Sequence, residues 1–123
     1  MFFIAKMESI PSYCAVVNEV AEHYGYNPKD IGVYLQPIEQ GRASHLEFQF
    51  YYDPETEKKQ ETIRSLYLEA ARRLFTMGAF FSRPYGLLSP MVFEKARGYT
   101  NTITKIKAVL DPNSIMSPGN VCF

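Results

Sequence analysis

The chain has 123 residues, and its thirteen basic and thirteen acidic side chains leave no net charge at neutral pH. This length fits one domain or a fragment of one, and the absence of a polybasic run argues against a nucleic-acid phosphate track. The apolar stretch at residues 1–5 ends at Lys6, so it is too short for a secretory leader or a membrane span. We therefore expect a cytoplasmic protein without a membrane span.

The first elements along the chain are predicted to be a strand and a helix. Residues 1–6 are predicted as the strand. The helix has Ser9 as its candidate N-cap, Pro11 in its first turn and Gly25 as its stop. Its apolar stripe follows the helical spacing of three and four residues and consists of Tyr13, Val16, Val17, Val20, Ala21 and Tyr24.

Two alternating segments, residues 31–37 and 45–52, predict a pair of strands around a turn at Gly41. One face of the pair is apolar and holds Ile31, Val33, Leu35, Leu46, Phe48 and Phe50. The opposite face is both polar and aromatic and holds Tyr34, Gln36, His45, Glu47, Gln49 and Tyr51. This second face is either solvated, as one face of an antiparallel sheet often is, or the roof of a ligand site; the pattern alone favours solvation.

The second half of the chain is predicted to hold two more helices, one more strand and an irregular end. A helix is expected over residues 53–78, a fourth strand over 79–85, and a last helix over 90–110 with Gly98 as a candidate interruption. Two prolines in residues 111–123 fix backbone angles and remove donors, which predicts an irregular strap after the last helix.

The order strand, helix, strand, strand, helix, strand predicts an α+β fold of the ferredoxin-like βαββαβ type. Its sheet would be antiparallel, with both helices covering the apolar face. Residues 1–87 would form this domain, and residues 88–123 would form the C-terminal helix and the strap.

The strap carries a family resemblance. The string Asp111-Pro-Asn-Ser-Ile-Met-Ser-Pro-Gly-Asn120 resembles the Asp-Pro-Asn-Gly-Ile-x-Asn-Pro-Gly-Lys ending of FAD-linked oxidases and dehydrogenases, the superfamily of glycolate oxidase and vanillyl-alcohol oxidase. Ser114 replaces the usual Gly, and Asn120 replaces the usual Lys. The resemblance extends over most of residues 30–123, because residues 41–54 look like the family's Gly-Asp-Gly-Asn-Leu-His strand running to Asp-Pro, and a later Gly-containing turn also has its counterpart.

Such enzymes pair an FAD domain with a cap whose sheet lies over the flavin ring. The resemblance therefore implies that this chain is the cap and C-terminal segment, or a small subunit, of an FAD-dependent oxidoreductase. The reaction would remove a hydride from a hydroxy acid, an alcohol or a phenolic substrate. Because the chain has no glycine-rich phosphate segment, FAD would be bound mainly by a region or partner chain not present here. We expect an oligomer, and an isolated chain without activity.

The same resemblance implies roles for individual residues. The catalytic candidates are His45 and Tyr85, the substrate-binding candidates are Arg83, Tyr34, Glu47 and Gln49, and the cofactor-binding candidates are Asn113 and Gly119. Arg83 offers a planar fork to a carboxylate or phenolate, and Tyr85 adds a hydroxyl donor. The alternative is structural, with Arg83 as a surface ion-pair partner and Tyr85 as a core residue.

The chain departs from the metal-dependent members of the superfamily, which carry two His in the strand motif and a Glu in the turn motif. Only His45 remains here, Ile38 stands where the first His would be, and Pro84 and Tyr85 take the Glu-His positions. One imidazole cannot make a structural metal site, and the two cysteines lack metal-ligand spacing. We therefore predict no bound metal.

A rival hypothesis explains the strand and helix order without any catalysis. The chain would then be a free-standing ferredoxin-like module that binds a ligand or serves in assembly. This hypothesis leaves the strap and the turn around Arg83 unexplained.

Overall fold

The computed structural model describes residues 1–53 and 57–118. In this part the chain is α+β, with a three-stranded antiparallel sheet and four α-helices. The elements are β1 (Phe2–Lys6), α1 (Ile10–His23), β2 (Ile31–Ile38), β3 (Ala43–Phe50), α2 (Glu57–Thr76), α3 (Ser89–Lys95) and α4 (Arg97–Leu110). The chain divides into two compact units, Met1–Ser82 and Arg83–Phe123. None of the helices in the described ranges is both long and apolar enough to span a membrane.

The sheet has the order β1-β3-β2, and both outer strands run antiparallel to β3. The predicted faces are present, since Phe3, Leu46 and Phe48 share one face and are at most 1% exposed. On the same face of the edge strand β2, however, Val33 and Leu35 are 54% and 42% exposed. The prediction that the helices cover this part of the face is therefore wrong, because the edge strand lies outside the buried layer.

The core of the first unit lies between the sheet and the helices α1 and α2. The ring of Phe3 meets that of Tyr13 on α1 edge to face, with centroids 5.4 Å apart. The helices contribute fully buried side chains, namely Val17, Val20, Ala21, Leu66, Ala70 and Leu74. Burial of a large apolar side chain contributes about 1.5–3 kcal/mol, so this layer fixes which face of the sheet remains open.

The predicted glycine stops of α1 and α2 are confirmed. Gly25 has a φ of +68° and Gly78 a φ of +97°, in the region where other residues are strained. The amide of Tyr26 donates to the carbonyl of Ala21 at 2.8 Å, which is the long bond of a Schellman motif, and the residue after Gly78 makes the equivalent bond. Ser9 stands at the predicted N-cap position of α1, but its backbone angles are helical and its side chain makes no capping hydrogen bond.

The predicted fourth strand is reduced to one contact. Phe80 forms a single antiparallel bridge with Ile4 on the outer side of β1, with hydrogen bonds of 2.8 and 3.0 Å. The chain then leaves the strand conformation. Pro84 has no N–H to donate to a ladder, and Gly86 has a φ of +53°.

The predicted C-terminal helix is two helices, and the break falls at Ala96 rather than at Gly98. Ala96 has φ −95° and ψ 41°, and it separates α3 from α4. The hydroxyl of Thr100 donates to the carbonyls of Phe93 and Ala96 at 2.8 and 3.1 Å. A side chain that bonds to these carbonyls competes with the helical ladder, which accounts for a break at this position.

Candidate functional site

The register of the sheet brings the polar and aromatic residues together on its open face. On the central strand, His45 lies opposite Gln36 of β2, and Glu47 lies opposite Tyr34. On the other side, Phe2 of β1 is the register partner of Glu47. Because alternate residues of a strand share a face, His45 and Glu47 lie side by side with neighbours on both flanks. The open face is defined here as Phe2, Tyr34, Gln36, His45, Glu47, Gln49 and Tyr51.

His45 is held from three sides. Its ring stacks on Phe2 with centroids 5.4 Å apart and an angle of 23°, and Tyr34 approaches it edge-on at 6.1 Å. Its Nε2 lies 3.7 Å from Oε2 of Glu47, and 23% of the side chain is exposed. The imidazole is therefore oriented by its neighbours and still reachable by a ligand.

The two oxygens of Glu47 serve different neighbours. While Oε2 faces His45, Oε1 accepts a hydrogen bond from Nε2 of Gln49 at 3.3 Å. The Gln49 amide oxygen in turn accepts from the hydroxyl of Tyr51 at 2.7 Å. Three of the predicted substrate-binding residues therefore share the face of His45: Tyr34 and Glu47 contact it, and Gln49 continues the polar row along β3.

Gly32 lies beside Gln49 and Tyr51, at the end of the polar row that is farthest from His45. A Cβ atom at this position would lie 3.1 Å from Oε1 of Gln49 and 3.3 Å from Cε2 of Tyr51. Both distances are shorter than ordinary van der Waals contact, so a side chain at residue 32 would require Gln49 and Tyr51 to shift by a few tenths of an ångström. Sequence reasoning treated Gly32 as one more position in an alternating strand.

Phe2 is the other contributor that sequence reasoning missed. Its ring stacks on His45, yet the apolar start of the chain predicted only a strand. Alternation within that strand could have indicated a second face, because Phe3 and Ala5 are buried and Phe2 and Ile4 face the other way. The strand order was needed to place this second face beside His45.

Arg83 and Tyr85 belong to the second unit, whereas His45 belongs to the first. Both side chains are exposed, Tyr85 by 58%, so the alternative of Tyr85 as a core residue is wrong. Tyr85 has an extended backbone and precedes the 3₁₀ turn Gly86–Leu88, whose last amide donates to the Tyr85 carbonyl at 3.2 Å. The turn thus presents the Tyr85 hydroxyl to the exterior of this unit.

The strap folds back on Asp111 at the end of α4. The Asp111 carboxylate accepts hydrogen bonds from the amides of Ile115 at 2.9 Å and Met116 at 3.0 Å. Nζ of Lys107 lies 2.5 Å from Oδ2 of Asp111 and also donates to the carbonyl of Met116 at 2.8 Å. The hydrogen bond from Lys107, followed by those from the backbone, lowers the pKa of Asp111 below its usual value. The ammonium group of Lys107 therefore connects the end of α4 to the strap through Asp111 and Met116.

The backbone of the strap has two non-glycine residues with positive φ, Ser114 and Ser117. Ser114 has a φ of +50°, in the left-handed region that favours glycine, and its amide donates to the carbonyl of Asp111 at 3.0 Å. Asn113, a predicted cofactor-binding residue, is exposed on the same turn. Gly119, the other one, lies outside the described residues.

Within residues 1–53 and 57–118, no three His, Cys, Asp or Glu side chains come together in a group that could hold a metal ion. The comparisons with known proteins give no relative, because no family model, no curated protein and no solved structure matches this chain.

Proposed function

We propose that this chain is the cap and C-terminal segment, or a small subunit, of an FAD-dependent oxidoreductase acting on a hydroxy acid, an alcohol or a phenol. The observation that carries the proposal is the open face of the sheet, where His45 is held by Phe2, Tyr34 and Glu47 and stays accessible. A solvated sheet face does not need an imidazole held from three sides. A sheet face that covers a reacting substrate needs a positioned imidazole, because proton transfer depends on the position of the acid or base.

The strap gives independent support. Ser114 stands where the resembling motif has Gly, and its φ of +50° is the conformation that glycine adopts without strain. Asp111, the first residue of the motif, binds two backbone amides of the strap. These residues of the motif therefore fix the conformation of the strap.

The residues fit one part of an FAD site. Phe2 and Tyr34 offer aromatic surface and Gln49 offers an amide on the open face, which suits contact with a flat ring system. The sequence has no glycine-rich loop for a pyrophosphate, so the rest of the cofactor would be bound by an FAD-binding domain or subunit. When bound, the flavin supplies the hydride acceptor.

In this proposal the chain positions the substrate and handles its proton. Nε2 of His45 accepts the proton of the substrate hydroxyl, and Glu47 stabilises the imidazolium that results. For the second unit the resemblance implies that Arg83 would bind a carboxylate or phenolate through its planar fork, with the Tyr85 hydroxyl donating to the same group. The protein would act in the cytoplasm as part of an oligomer.

The finer topology belongs to the same proposal. The bridge between Phe80 and Ile4 lies beside β1, where the fourth strand of a ferredoxin-like sheet would be. We interpret the first unit as a partial ferredoxin-like cap whose fourth strand is reduced to this bridge.

The first experiment is a native purification through a tag on this chain, followed by mass spectrometry and a visible absorbance scan. The proposal expects flavin absorbance together with a flavin-domain chain, or with a longer form of this chain. A colourless protein without such a partner would contradict it.

The second experiment uses matched variants of the flavin-containing preparation. His45→Gln should lower kcat/KM about 10²–10⁴-fold, the usual contribution of a positioned acid or base. His23→Gln is the control, because His23 is the other histidine of the chain and lies at the end of α1. Arg83→Ala should also lower kcat/KM, with Arg97→Ala as the control in the same unit. Variants of His45 and Arg83 that match their controls would refute the assigned roles.

A second candidate function is assembly without catalysis. The exposure of Val33 and Leu35 on the edge strand favours it, because a strand without charged side chains and with apolar residues in water is suited to pairing with another chain. Val33→Lys would then change the oligomeric state, measured by analytical ultracentrifugation. In that case His45→Gln would leave every property of the assembly unchanged.

A further inference from the structure

A cleft lined largely by tyrosine rings lies at the opposite end of the first unit from Lys6, where β3 ends and α2 begins. Its volume is about 550 Å³, within the range of sites that bind small molecules. The residues that line it include Tyr24, Tyr26, Tyr51, Tyr52, Lys59 and Ile63. The cleft shares Tyr51 with the open face, but neither His45 nor Glu47 lines it.

Three of the four tyrosines that line the cleft use their hydroxyls in hydrogen bonds, namely Tyr24, Tyr26 and Tyr51. Tyr24 donates to Oε2 of Glu69 at 2.9 Å. The Tyr26 hydroxyl accepts from the amide of Tyr51 at 2.9 Å and donates to the Tyr51 carbonyl at 3.0 Å. Tyr51 itself donates to Gln49 at 2.7 Å. Because these hydroxyls are already hydrogen-bonded, the rings present apolar surface to the cleft. A ligand that binds there would lose little free energy to ordering these side chains.

Lys59 gives the cleft its charge preference. It lies in the first turn of α2 with an exposed side chain, and it forms no ion pair with any carboxylate in the described residues. An ammonium group beside aromatic walls favours a flat ring that carries an anionic group. Asp53 also lines the cleft, so an organic cation held by tyrosine rings is the competing class of ligand.

We propose that this cleft binds a small planar aromatic carboxylate of one or two fused rings. The rings of the ligand would lie against the tyrosines, and its carboxylate would meet Lys59. The inference is independent of the flavin proposal, because its two test residues, Lys59 and Tyr52, lie outside the open face and no redox chemistry is involved.

The test is a calorimetric titration of the full chain, purified with any chain that accompanies it, with three probes. These are 2-naphthoate, its uncharged amide 2-naphthamide, and phenyltrimethylammonium. Saturable binding of naphthoate is expected, about three- to fivefold tighter than that of the amide, as for an exposed ion pair. Tighter binding of the ammonium probe, equal binding of the acid and the amide, or no saturable binding of naphthoate at millimolar concentration would each overturn the proposal.

Two variants locate the site. Lys59→Gln should reduce naphthoate affinity to that of the amide, whereas Lys6→Gln should not, because Lys6 pairs with Ala43 at the other end of the sheet. Tyr52→Leu should weaken both the acid and the amide about tenfold through loss of a ring contact. Thermal melts followed by circular dichroism establish that each variant is folded. If Lys59→Gln and Lys6→Gln bind naphthoate equally, the assigned site is wrong.

Discussion

Replacement of Tyr26 by Phe removes a hydroxyl whose two shortest hydrogen bonds go to the backbone of one residue, and which also lies 3.3 Å from the carbonyl of Asp30. The hydroxyl accepts from the amide of Tyr51 and donates to its carbonyl, at 2.9 and 3.0 Å. The ring itself can remain in place, because it packs edge to face against Phe50 with centroids 6.0 Å apart. The variant therefore isolates the contribution of the hydroxyl to the end of β3.

The expected loss of stability follows from these two bonds. A hydrogen bond contributes about 0.5–1.5 kcal/mol net. Tyr51 is 65% exposed, so water replaces part of what is lost, and we expect the free energy of unfolding to fall by about 1–2 kcal/mol. For a domain of this size, each kcal/mol lowers the melting temperature by roughly 4–8 °C.

Two measurements check this expectation. Urea unfolding followed by circular dichroism gives the change in free energy, and hydrogen exchange followed by NMR gives the protection of the Tyr51 amide. The control is Tyr34→Phe, whose hydroxyl makes a long, exposed bond of 3.3 Å to Gln36, and which should change stability by less than about 0.5 kcal/mol. Equal effects of the two variants, or unchanged exchange at Tyr51, would refute the reasoning.

Three further predictions concern other parts of the chain. Because the pKa of Asp111 is lowered in the folded protein, its stabilising effect should be complete above its ordinary pKa of about 3.9 and should be lost as the pH falls through the lower folded value; urea unfolding between pH 6 and 2.5 should therefore show a smaller decrease in Asp111→Asn. Gly32→Ala should displace Tyr51, seen by NMR as changed ring contacts, while stability changes by less than about 1 kcal/mol, because alanine is favoured over glycine within a strand. Burial raises the pKa of the Cys14 thiol, so its alkylation at pH 8, measured by peptide mapping, should be slower in the folded chain than in urea.

The parts of the fold that sequence predicted correctly depend on short-range rules. Alternation placed Leu46 and Phe48 on the buried face, and it placed His45 and Glu47 on the open one. The stop at Gly25 followed from the left-handed conformation that only glycine adopts readily. These signals lie within a few residues of the feature they predict, so no knowledge of tertiary structure was needed.

The failures involve contacts between residues distant in sequence or competition for the same backbone groups. The stacking of Phe2 on His45 depends on the pairing of β1 with β3, and no local sequence pattern predicts that pairing. The exposure of Val33 follows from the position of β2 at the edge of the sheet, which alternation does not report. At Ala96 the break depends on a threonine hydroxyl that competes for helix carbonyls, and the more obvious helix breaker, Gly98, lies within α4.

The open face and the tyrosine cleft meet at Tyr51, and this decides which variants can separate their functions. The Tyr51 hydroxyl bonds to Gln49 on the open face, while its backbone is bound by Tyr26 in the wall of the cleft. A change at Tyr51 would therefore disturb both surfaces, and loss of either activity would not identify the site responsible. His45 belongs only to the open face, and Lys59 lines only the cleft. Turnover that responds to His45 but not to Lys59, together with ligand binding that responds in the opposite way, would establish two independent sites on one unit.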